Sequence, residues 1–379
     1  MPSADDLLGR EVAEALARSI RDAAPGLEVR SLSAAAGGLG DLSLRERADC
    51  LRDALLADVP GDYQALAQVV RAAGRVSGEF TGWLIWPVTG AVASRAVQEG
   101  TAEAFDDAMD VLAELTHRLT AEFSVRPLLR HDLGRGLEIV RGWTQSEDEH
   151  VRRLASEGTR PYLPWAVRVP ALTANPGVTI PVLDALYRDE SEYVRRSVAN
   201  HLNDLSRDVP DLVVRTARGW LAAPAETTPW VVRHGLRTLI KKGHRGALEL
   251  LGFGGASVEV DGPVVSPVAV PWGGSVTFTA ELRNTGAEPA RLAIDYVVYH
   301  RRANGAQSPK TFKLTTRTLG AGESVTVERR HSFRAITTRR YYPGPHALAL
   351  QVNGIATEPV PFELLAPPAS PDVALERLT

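Results

Sequence analysis

The sequence predicts a multidomain, mainly α fold, in which an α-solenoid of helical repeats is followed by an immunoglobulin-like antiparallel β-sandwich. Up to about residue 250, apolar residues recur every three to four positions, which is the period of an amphipathic helix. After Gly252 the pattern changes to short stretches in which apolar and polar residues alternate, as they do in β-strands. We therefore place a helical domain at 1–252, a sandwich at 257–365 and a flexible tail at 366–379.

The first two helices have recognisable starts. Ser3 is followed three residues later by Asp6, and Ser43 by Glu46, so each pair can form an N-terminal capping box. Apolar residues follow at helical spacing, at positions 8, 12, 16 and 20 and again at 44, 48, 51 and 55. Further helices, separated by Gly or Pro, are predicted at 63–73, 82–97, 102–121 and 128–143.

A loose repeat runs through the second half of the helical region. It reads HVRRLA at 150–155, YVRRSV at 193–198 and VVRHGL at 231–236, with spacings of 43 and 38 residues. A period near 40 with Val-Arg opening a helix is typical of HEAT-like helical pairs, in which the Val packs inward and the Arg lies along one edge. Val-Arg pairs also occur in ordinary amphipathic helices, but here three stand in register. The prediction is a HEAT-like solenoid.

The C-terminal third contains the stretches SVEV, SVTFTAELRN, ARLAIDYVVYH, TFKLTTRTL, SVTVERRHSF and HALALQVN, separated by turns rich in Gly, Pro and Asn. About seven short strands in roughly 110 residues are typical of a small β-sandwich. The single cysteine, Cys50, excludes an intrachain disulfide framework and a thiolate zinc cluster. We expect a sandwich stabilised by its apolar core alone.

Composition and hydropathy exclude several classes of protein. Hydrophobic residues make up 44% of the chain, which is the composition of a globular protein. No apolar run is long enough to cross a membrane, and the N-terminus lacks the pattern of a signal peptide, so we expect a cytoplasmic, nucleoid-associated protein. The nine His residues are scattered and no group of His, Asp and Glu has the spacing of metal ligands. We therefore expect neither a metal nor another cofactor.

Positive charge is concentrated in the predicted sandwich. The whole chain has a net charge of −3, but residues 291–340 contain 11 Lys and Arg against 3 Asp and Glu. Such a segment suits a phosphate backbone, and it suits a solvated sheet face equally well. The candidate DNA ligands in this segment are Arg301, Arg302, Arg339 and Arg340.

Four stretches hold most of the residues that could carry chemistry. They are GWLIWPV at 82–88, ELTHRLTAEFSVRPLL at 114–129, HVRRLASEGTRPYLPWA at 150–166 and YVRRSVANHLNDLSRDVPDLV at 193–213. In these motifs the chain resembles the AlkC branch of the AlkC/AlkD superfamily of alkylpurine DNA glycosylases, which includes forms with a C-terminal immunoglobulin-like domain. The resemblance covers about residues 75–365, and SEGTRPYLPWA is its most specific part.

The resemblance implies a metal-independent hydrolase that cuts the N-glycosidic bond of cationic alkylated bases such as 3-methyladenine and 3-methylcytosine in double-stranded DNA. It implies that the base stays in the duplex during the reaction. It also implies an active site formed by Glu122, Glu157, Trp165 and Asp204. We expect a monomer, because one duplex must enter the concave face of the solenoid.

These residue types suit the chemistry. A base that already carries positive charge is a good leaving group, and the transition state then resembles an oxocarbenium ion at the sugar. A carboxylate can stabilise that cation and orient water, and an aromatic ring can face the cationic base. Both Glu157 and Asp204 qualify as the main carboxylate, and the sequence does not rank them.

Each site residue also has an ordinary structural explanation. Glu157 could be a solvated residue at a helix C-terminus, although the helix dipole disfavours a carboxylate there. Asp204 could cap a helix or pair with Arg207. Trp165 could belong to the core, as a lone Trp usually does.

Basic residues recur at equivalent positions of the helical repeats, as expected for a groove that binds phosphates. The same arginines could form salt bridges between repeats. We expect phosphate contact above all from Arg160, Lys241 and Lys242. The full set of candidate DNA ligands in the helical region is Arg152, Arg160, Arg195, Arg233, Lys241 and Lys242.

Two functions of other classes remain open. An α-solenoid joined to an immunoglobulin-like domain could be a non-catalytic protein scaffold. It could also be a DNA-structure-binding protein that retains the basic groove without turnover.

Overall fold

The computed structural model describes residues 3–254, 256–336 and 339–368. The chain forms two compact units, a helical unit at Met1–Gly235 and a sandwich unit at Leu236–Thr379. The predicted tail lies outside the described residues from position 369 onward. Among the described residues, no helix is long and apolar enough to cross a membrane.

The first half of the helical unit contains nine α-helices and a short 3₁₀ helix at Gly82–Leu84 among the described residues. The helices are α1 (Ala4–Leu8), α2 (Arg10–Ala23), α3 (Arg30–Ala35), α4 (Leu44–Asp58), α5 (Tyr63–Val76), α6 (Ile85–Glu99), α7 (Ala102–Leu115), α8 (Val125–His131) and α9 (Leu133–Trp143). Both predicted capping boxes are confirmed, at Ser3 with Asp6 and at Ser43 with Glu46.

Several predicted helix boundaries were wrong. The helix predicted to begin at Ser3 is broken at Gly9, whose backbone is extended. The helix predicted at 102–121 ends at Leu115, because Arg118 donates to the carbonyls of Gly74 and Phe80 and so holds the next residues in turns. The helix predicted at 128–143 is two helices, because the Asp132 side chain accepts from the amide of Arg135 and caps α9.

The second half of the helical unit carries the three repeat motifs. Its helices are α10 (Glu149–Gly158), α11 (Pro170–Ala174), α12 (Ile180–Leu186), α13 (Glu192–Leu205), α14 (Pro210–Ala222) and α15 (Thr228–Gly235). The motifs lie on α10, α13 and α15, which pack side by side in that order. The Val of each motif, at positions 151, 194 and 232, is buried, as predicted. This packing brings residues about 40 positions apart into contact.

The sandwich unit consists of two short helices and two sheets. The helices are α16 (Arg237–Lys241) and α17 (Arg245–Leu250), and the strands are β1 (Val258–Ser266), β2 (Ala269–Val270), β3 (Ser275–Asn284), β4 (Ala290–Arg301), β5 (Gln307–Leu319), β6 (Ser324–Ser332), β7 (Gly344–Val352), β8 (Ile355–Ala356) and β9 (Val360–Leu364). One sheet has the order β1-β3-β6 and the other β2-β9-β7-β4-β5, with β8 paired to β7. All pairs are antiparallel except β2 with β9.

The core of the sandwich lies between the two sheets and includes Phe278, Tyr296 and Phe333. The two short helices pack onto the larger sheet. Gln351 Nε2 donates to the Lys241 carbonyl at 3.1 Å, and the Arg291 guanidinium donates to the Leu251 carbonyl at 3.1 Å. Residues 236–252 therefore contact the strands directly, although their sequence pattern is helical.

Three histidines are buried beside this aromatic core. His300 is on β4, His331 on β6 and His346 on β7, and the ring centroid of His300 lies 5.8 Å from each of the other two. Burial, with the Arg339 charge nearby, lowers the pKa of His300 to about 3 and that of His331 to about 4. Burial also lowers the pKa of His346. All three are therefore neutral at pH 7.

We predict that the sandwich unit loses stability in mild acid. An unfolded imidazole titrates near ~6.5, so below that pH the unfolded chain binds protons that the folded chain excludes. The free energy of unfolding should fall as the pH is lowered from ~6.5 toward 4, by about 1–2 kcal/mol at pH ~5 for each of His300 and His331. Calorimetry of the full chain between pH ~5 and ~8 measures this.

The His300→Phe variant should reduce this pH dependence, because both ring nitrogens of His300 are buried without a hydrogen-bond partner among the described residues. The control is His117→Gln, since His117 is exposed. If the stability of His300→Phe depended on pH as strongly as that of the unsubstituted chain, the contribution assigned to His300 would be contradicted.

Candidate active site

Glu157 and Asp204 share one guanidinium. Glu157 lies at the end of α10 and Asp204 at the end of α13, and Arg160 lies between them. Arg160 Nη1 donates to Glu157 Oε1 at 2.6 Å, and its Nε donates to Asp204 Oδ2 at 2.9 Å. Glu157 is 6% exposed, Asp204 3% and Arg160 8%. The packing of α10 on α13 therefore unites two carboxylates that are 47 positions apart in the sequence.

Hydrogen bonds from α13 fix the other side of Glu157. Ser197 Oγ donates to Glu157 Oε2 at 2.7 Å and lies 2.9 Å from Ser156 Oγ. The ring of His201 bridges the Ser156 carbonyl and the Thr179 hydroxyl. Burial lowers the pKa of His201 to about 3, so this ring is neutral and adds no charge to the site. Both oxygens of Glu157 are thus held by protein donors.

Glu122 joins the same cluster through Arg153. This carboxylate lies in the turn before α8 and forms an ion pair with Arg153, which also lies 3.5 Å from Glu157 Oε1. The Arg153 guanidinium lies 5.1 Å from the ring centroid of Tyr193. Glu122, Glu157 and Asp204 therefore form one buried cluster linked by two arginines, in agreement with the predicted grouping of these carboxylates.

Trp165 lies in the loop between α10 and α11, and its side chain is 74% exposed. Its φ angle of 61° is in the left-handed region, which is uncommon for a tryptophan. The alternative that Trp165 belongs to the core was wrong. Its ring is available to a ligand.

The ends of this loop are fixed by Arg126. Arg126 Nη1 donates to the carbonyls of Gly158 and Arg160 at 3.1 and 2.9 Å, and its Nε donates to the Val167 carbonyl. Burial, together with the nearby charges of Arg168 and Arg160, lowers the pKa of Arg126 to about 10, so it stays protonated at pH 7. Arg126 was not among the predicted site residues.

The ordinary explanations offered for the two main carboxylates were also wrong. Glu157 is not a solvated helix end, because it is buried and paired. Asp204 bonds to Arg160 rather than to Arg207, whose guanidinium instead lies 4.5 Å from the ring centroid of Tyr162. Both carboxylates are therefore held for a role in this cluster.

The structure separates the predicted phosphate ligands of the helical region into two groups. Arg152 is buried and donates to both oxygens of Asp189, and Arg160 is committed to Glu157 and Asp204. Arg195 is half-buried and donates to the carbonyls of residues 189 and 190, in the loop before its helix. In the same way, Arg152 donates to the carbonyls of residues 146 and 147. These contacts argue against phosphate binding by the three arginines in this conformation, because each guanidinium is already held by another repeat or by a loop.

The remaining candidates are accessible. Arg233 in the helical unit is exposed, and so are Lys241, Lys242, Arg302 and Arg340 in the sandwich unit. Arg301 and Arg339 are half-buried. These seven side chains remain our predicted DNA ligands.

No group of three or more His, Cys, Asp or Glu side chains in the described ranges has the geometry of a metal site. The cluster contains carboxylates, but arginines occupy the space where a cation would bind.

Sequence reasoning missed three side chains that support the site: Arg126, Arg153 and Ser197. Arg126 lies within the motif SVRPLL, between the apolar residues Val125 and Leu128. A charged residue within a segment that is otherwise apolar is the signal that could have identified it. Ser197 and Arg153 carry no such signal, because their roles depend on the register between α10 and α13.

Comparison with known proteins shows the family of the chain. A family model described as "Uncharacterised protein YhaZ, C-terminal Ig-like domain" matches residues 259–366. The uncharacterized protein YhaZ of Bacillus subtilis is 33% identical over 327 residues, which cover 86% of this chain and 88% of that protein. The solved structure of the Pseudomonas fluorescens alkylpurine DNA glycosylase AlkC, bound to DNA containing an abasic site analog, is 36% identical. It superimposes with a TM-score of 0.84 and covers 96% of this chain and all of that chain.

This chain belongs to the AlkC family. The predicted architecture of a HEAT-like helical region and an immunoglobulin-like sandwich is confirmed by the match to AlkC over both. The family assignment made from the four motifs is confirmed by the same comparison.

We predict that Gly158 is needed for the position of Glu157. A Cβ atom at Gly158 would lie 2.8 Å from Cγ1 of Val125 on α8. Gly158→Ala should therefore move the end of α10 and lower the free energy of unfolding by about 1–3 kcal/mol, measured by urea denaturation. The control is Gly142→Ala on α9, where a Cβ meets nothing within 4 Å and stability should be unchanged or higher. Equal stability of the two variants would contradict the prediction.

Proposed function

We propose that this protein is a DNA glycosylase that hydrolyses the N-glycosidic bond of cationic alkylated bases in duplex DNA. The observation that carries the proposal is the buried cluster of Glu122, Glu157 and Asp204, with the exposed Trp165 in the loop that follows α10. This cluster belongs to a chain that is 36% identical, over 96% of its length, to an alkylpurine DNA glycosylase. The reaction would serve base excision repair of alkylation damage in the cytoplasm.

The cluster suits a reaction with a cationic intermediate. A base made cationic by alkylation leaves without needing a strong general acid, and the sugar develops positive charge as the bond breaks. Carboxylates held in fixed positions stabilise that charge without having to reorganise during the reaction. The exposed face of Trp165 can contact the cationic base or the sugar.

The hydrogen bonds suggest different roles for the two main carboxylates. Both oxygens of Glu157 accept bonds from Arg160 and Ser197. Asp204 accepts the Arg160 bond through Oδ2, and among the described residues its Oδ1 has no hydrogen-bond donor. We therefore infer that Asp204 orients the attacking water and that Glu157 supplies charge and holds Arg160.

This chemistry selects substrates by the lability of the glycosidic bond rather than by the shape of the base. We propose 3-methyladenine and 3-methylcytosine, with the base remaining in the duplex during cleavage. The exposure of Trp165 supports this mode, because an exposed ring can contact a duplex without taking the base into a pocket. We further propose that the protein acts as a monomer without a cofactor.

We predict that Asp204→Asn and Glu157→Gln both abolish most of the activity. Asp204→Asn should lower the single-turnover rate of base release by about 10²–10³-fold, and Glu157→Gln by a smaller factor, because general-base and electrostatic contributions are of this size. The substrate is methylated duplex DNA, and the released bases are identified by chromatography. Glu192→Gln is the control, since Glu192 is an exposed carboxylate on the same helix as Asp204.

Three outcomes distinguish the alternatives. A greater loss in Glu157→Gln would reverse the two roles and leave the glycosylase intact. Release no faster than the spontaneous rate, with DNA binding retained, would contradict the proposal and favour a DNA-structure-binding protein. Absence of both release and binding would favour a protein scaffold.

We predict that the sandwich unit contributes to DNA affinity through charge. Reversal to Glu of Arg301, Arg302, Arg339 and Arg340 should weaken duplex binding and reduce the dependence of affinity on salt, because each lost phosphate contact lowers that slope by about 0.9. Fluorescence anisotropy at several salt concentrations measures both quantities. The control reverses four exposed arginines of the helical unit, Arg10, Arg18, Arg21 and Arg30. An unchanged affinity and slope in the sandwich variant would exclude this surface from the DNA interface.

A further inference from the structure

The N-terminal helices contact the loop that carries Trp165. Arg45, at the second position of α4, donates from Nη2 to the main-chain carbonyl of Trp165. These two residues are 120 positions apart in the sequence. The same guanidinium lies 5.8 Å from the ring centroid of Trp86 on α6.

A cleft separates the apex of the loop from the helices α4 and α6. A cleft of about 230 Å³ lies between α4, α6 and the loop, and it is lined by Arg45, Trp86, Phe123 and Val167. Arg126 donates hydrogen bonds to the carbonyls of Gly158, Arg160 and Val167, at the two ends of the loop. None of these bonds is to Trp165. Arg45 reaches the apex across this cleft.

The backbone at Trp165 requires such a restraint. A non-glycine residue persists at a φ of 61° only where the surrounding structure determines that conformation. Next to Trp165, the Ala166 amide donates to the Leu163 carbonyl at a long 3.4 Å. The stronger bonds of the loop are further from Trp165, at Pro161, Tyr162 and Val167. A hydrogen bond to the Trp165 carbonyl fixes the peptide plane between Trp165 and Ala166. It therefore limits the directions in which the Trp165 side chain can point.

Arg45 is itself held in place. The capping box of Ser43 with Glu46 fixes the first turn of α4, which contains Arg45. Two residues later, the buried Arg47 pairs with Asp5 on α1 and donates to the Leu8 carbonyl. The N-terminal helices therefore form a rigid support from which Arg45 extends.

We propose that Arg45 is a positioning residue that holds Trp165 in its left-handed, exposed conformation, and that the N-terminal helices support the active site in this way. The proposal rests on the proposed function for its effect on catalysis. Its structural part, the ordering of the loop apex by Arg45, is independent of that function.

The first test is hydrogen exchange of the full chain, read in peptides that cover residues 159–169. Arg45→Gln keeps a polar side chain on α4 but is too short to reach the Trp165 carbonyl. We expect the exchange rate of the Ala166 amide, which donates to the Leu163 carbonyl, to rise about tenfold in this variant, since a fixed apex becomes free to open. Arg45→Lys, which keeps the charge and a donor, should restore part of the protection.

The control is Arg52→Gln. Arg52 lies on the same helix and lines the same cleft, but its described ion pairs are with Asp49 and Asp53. This variant should leave exchange of the Ala166 amide unchanged. Unchanged exchange in Arg45→Gln as well would overturn the proposal.

The second test is a double-mutant cycle on single-turnover base release. Arg45→Gln should lower the rate about tenfold, because small displacements of a positioned group cost rate steeply. In a Trp165→Ala background it should have no further effect, since Arg45 acts through Trp165. Full additivity of the two substitutions would overturn the positioning role. If the unsubstituted protein released no base, the proposed function would fail, while the exchange experiment would still decide whether Arg45 orders the loop.

Discussion

Two carboxylates from different helices, Glu157 and Asp204, meet a single guanidinium inside the helical unit, and the whole site is arranged around that contact. Burying a charge is costly unless it is paired and hydrogen-bonded. Arg160 satisfies both carboxylates at once, and Arg153 links Glu157 to Glu122. The fold can therefore retain three buried acids in one cluster. The pairing fixes their geometry before any substrate arrives.

The repeats supply the rigidity that this contact requires. Arg152 and Arg195 hold the loops that precede their helices, and the valines beside them fill the core. The same contact with the preceding loop thus recurs in the first two of the three repeat motifs. Recurrence of a basic residue is thus weak evidence for a phosphate contact, since inter-repeat bonds explain it equally well.

The two units use their charged and titratable groups differently. The helical unit buries ion pairs and keeps an exposed tryptophan at its site. The sandwich unit buries neutral histidines and keeps many of its arginines in solvent. A basic sheet surface suits contacts with the phosphate backbone of DNA, which do not depend on base sequence.

The sequence by itself determined the class of fold, the capping boxes of α1 and α4, the strands of the sandwich and the family, because local periodicity, cap residues and motifs are readable in one dimension. It grouped Glu122, Glu157, Trp165 and Asp204 only through the resemblance. The register between α10 and α13 decided that Arg160 pairs with two acids, that Ser197 holds Glu157 and that Arg152 is buried. The packing of α4 against the loop decided that Arg45 meets Trp165. Apart from the pair of Arg160 with Glu157, these contacts join residues from 37 to 120 positions apart. Side-chain partners at such separations depend on how helices pack, which no local pattern encodes.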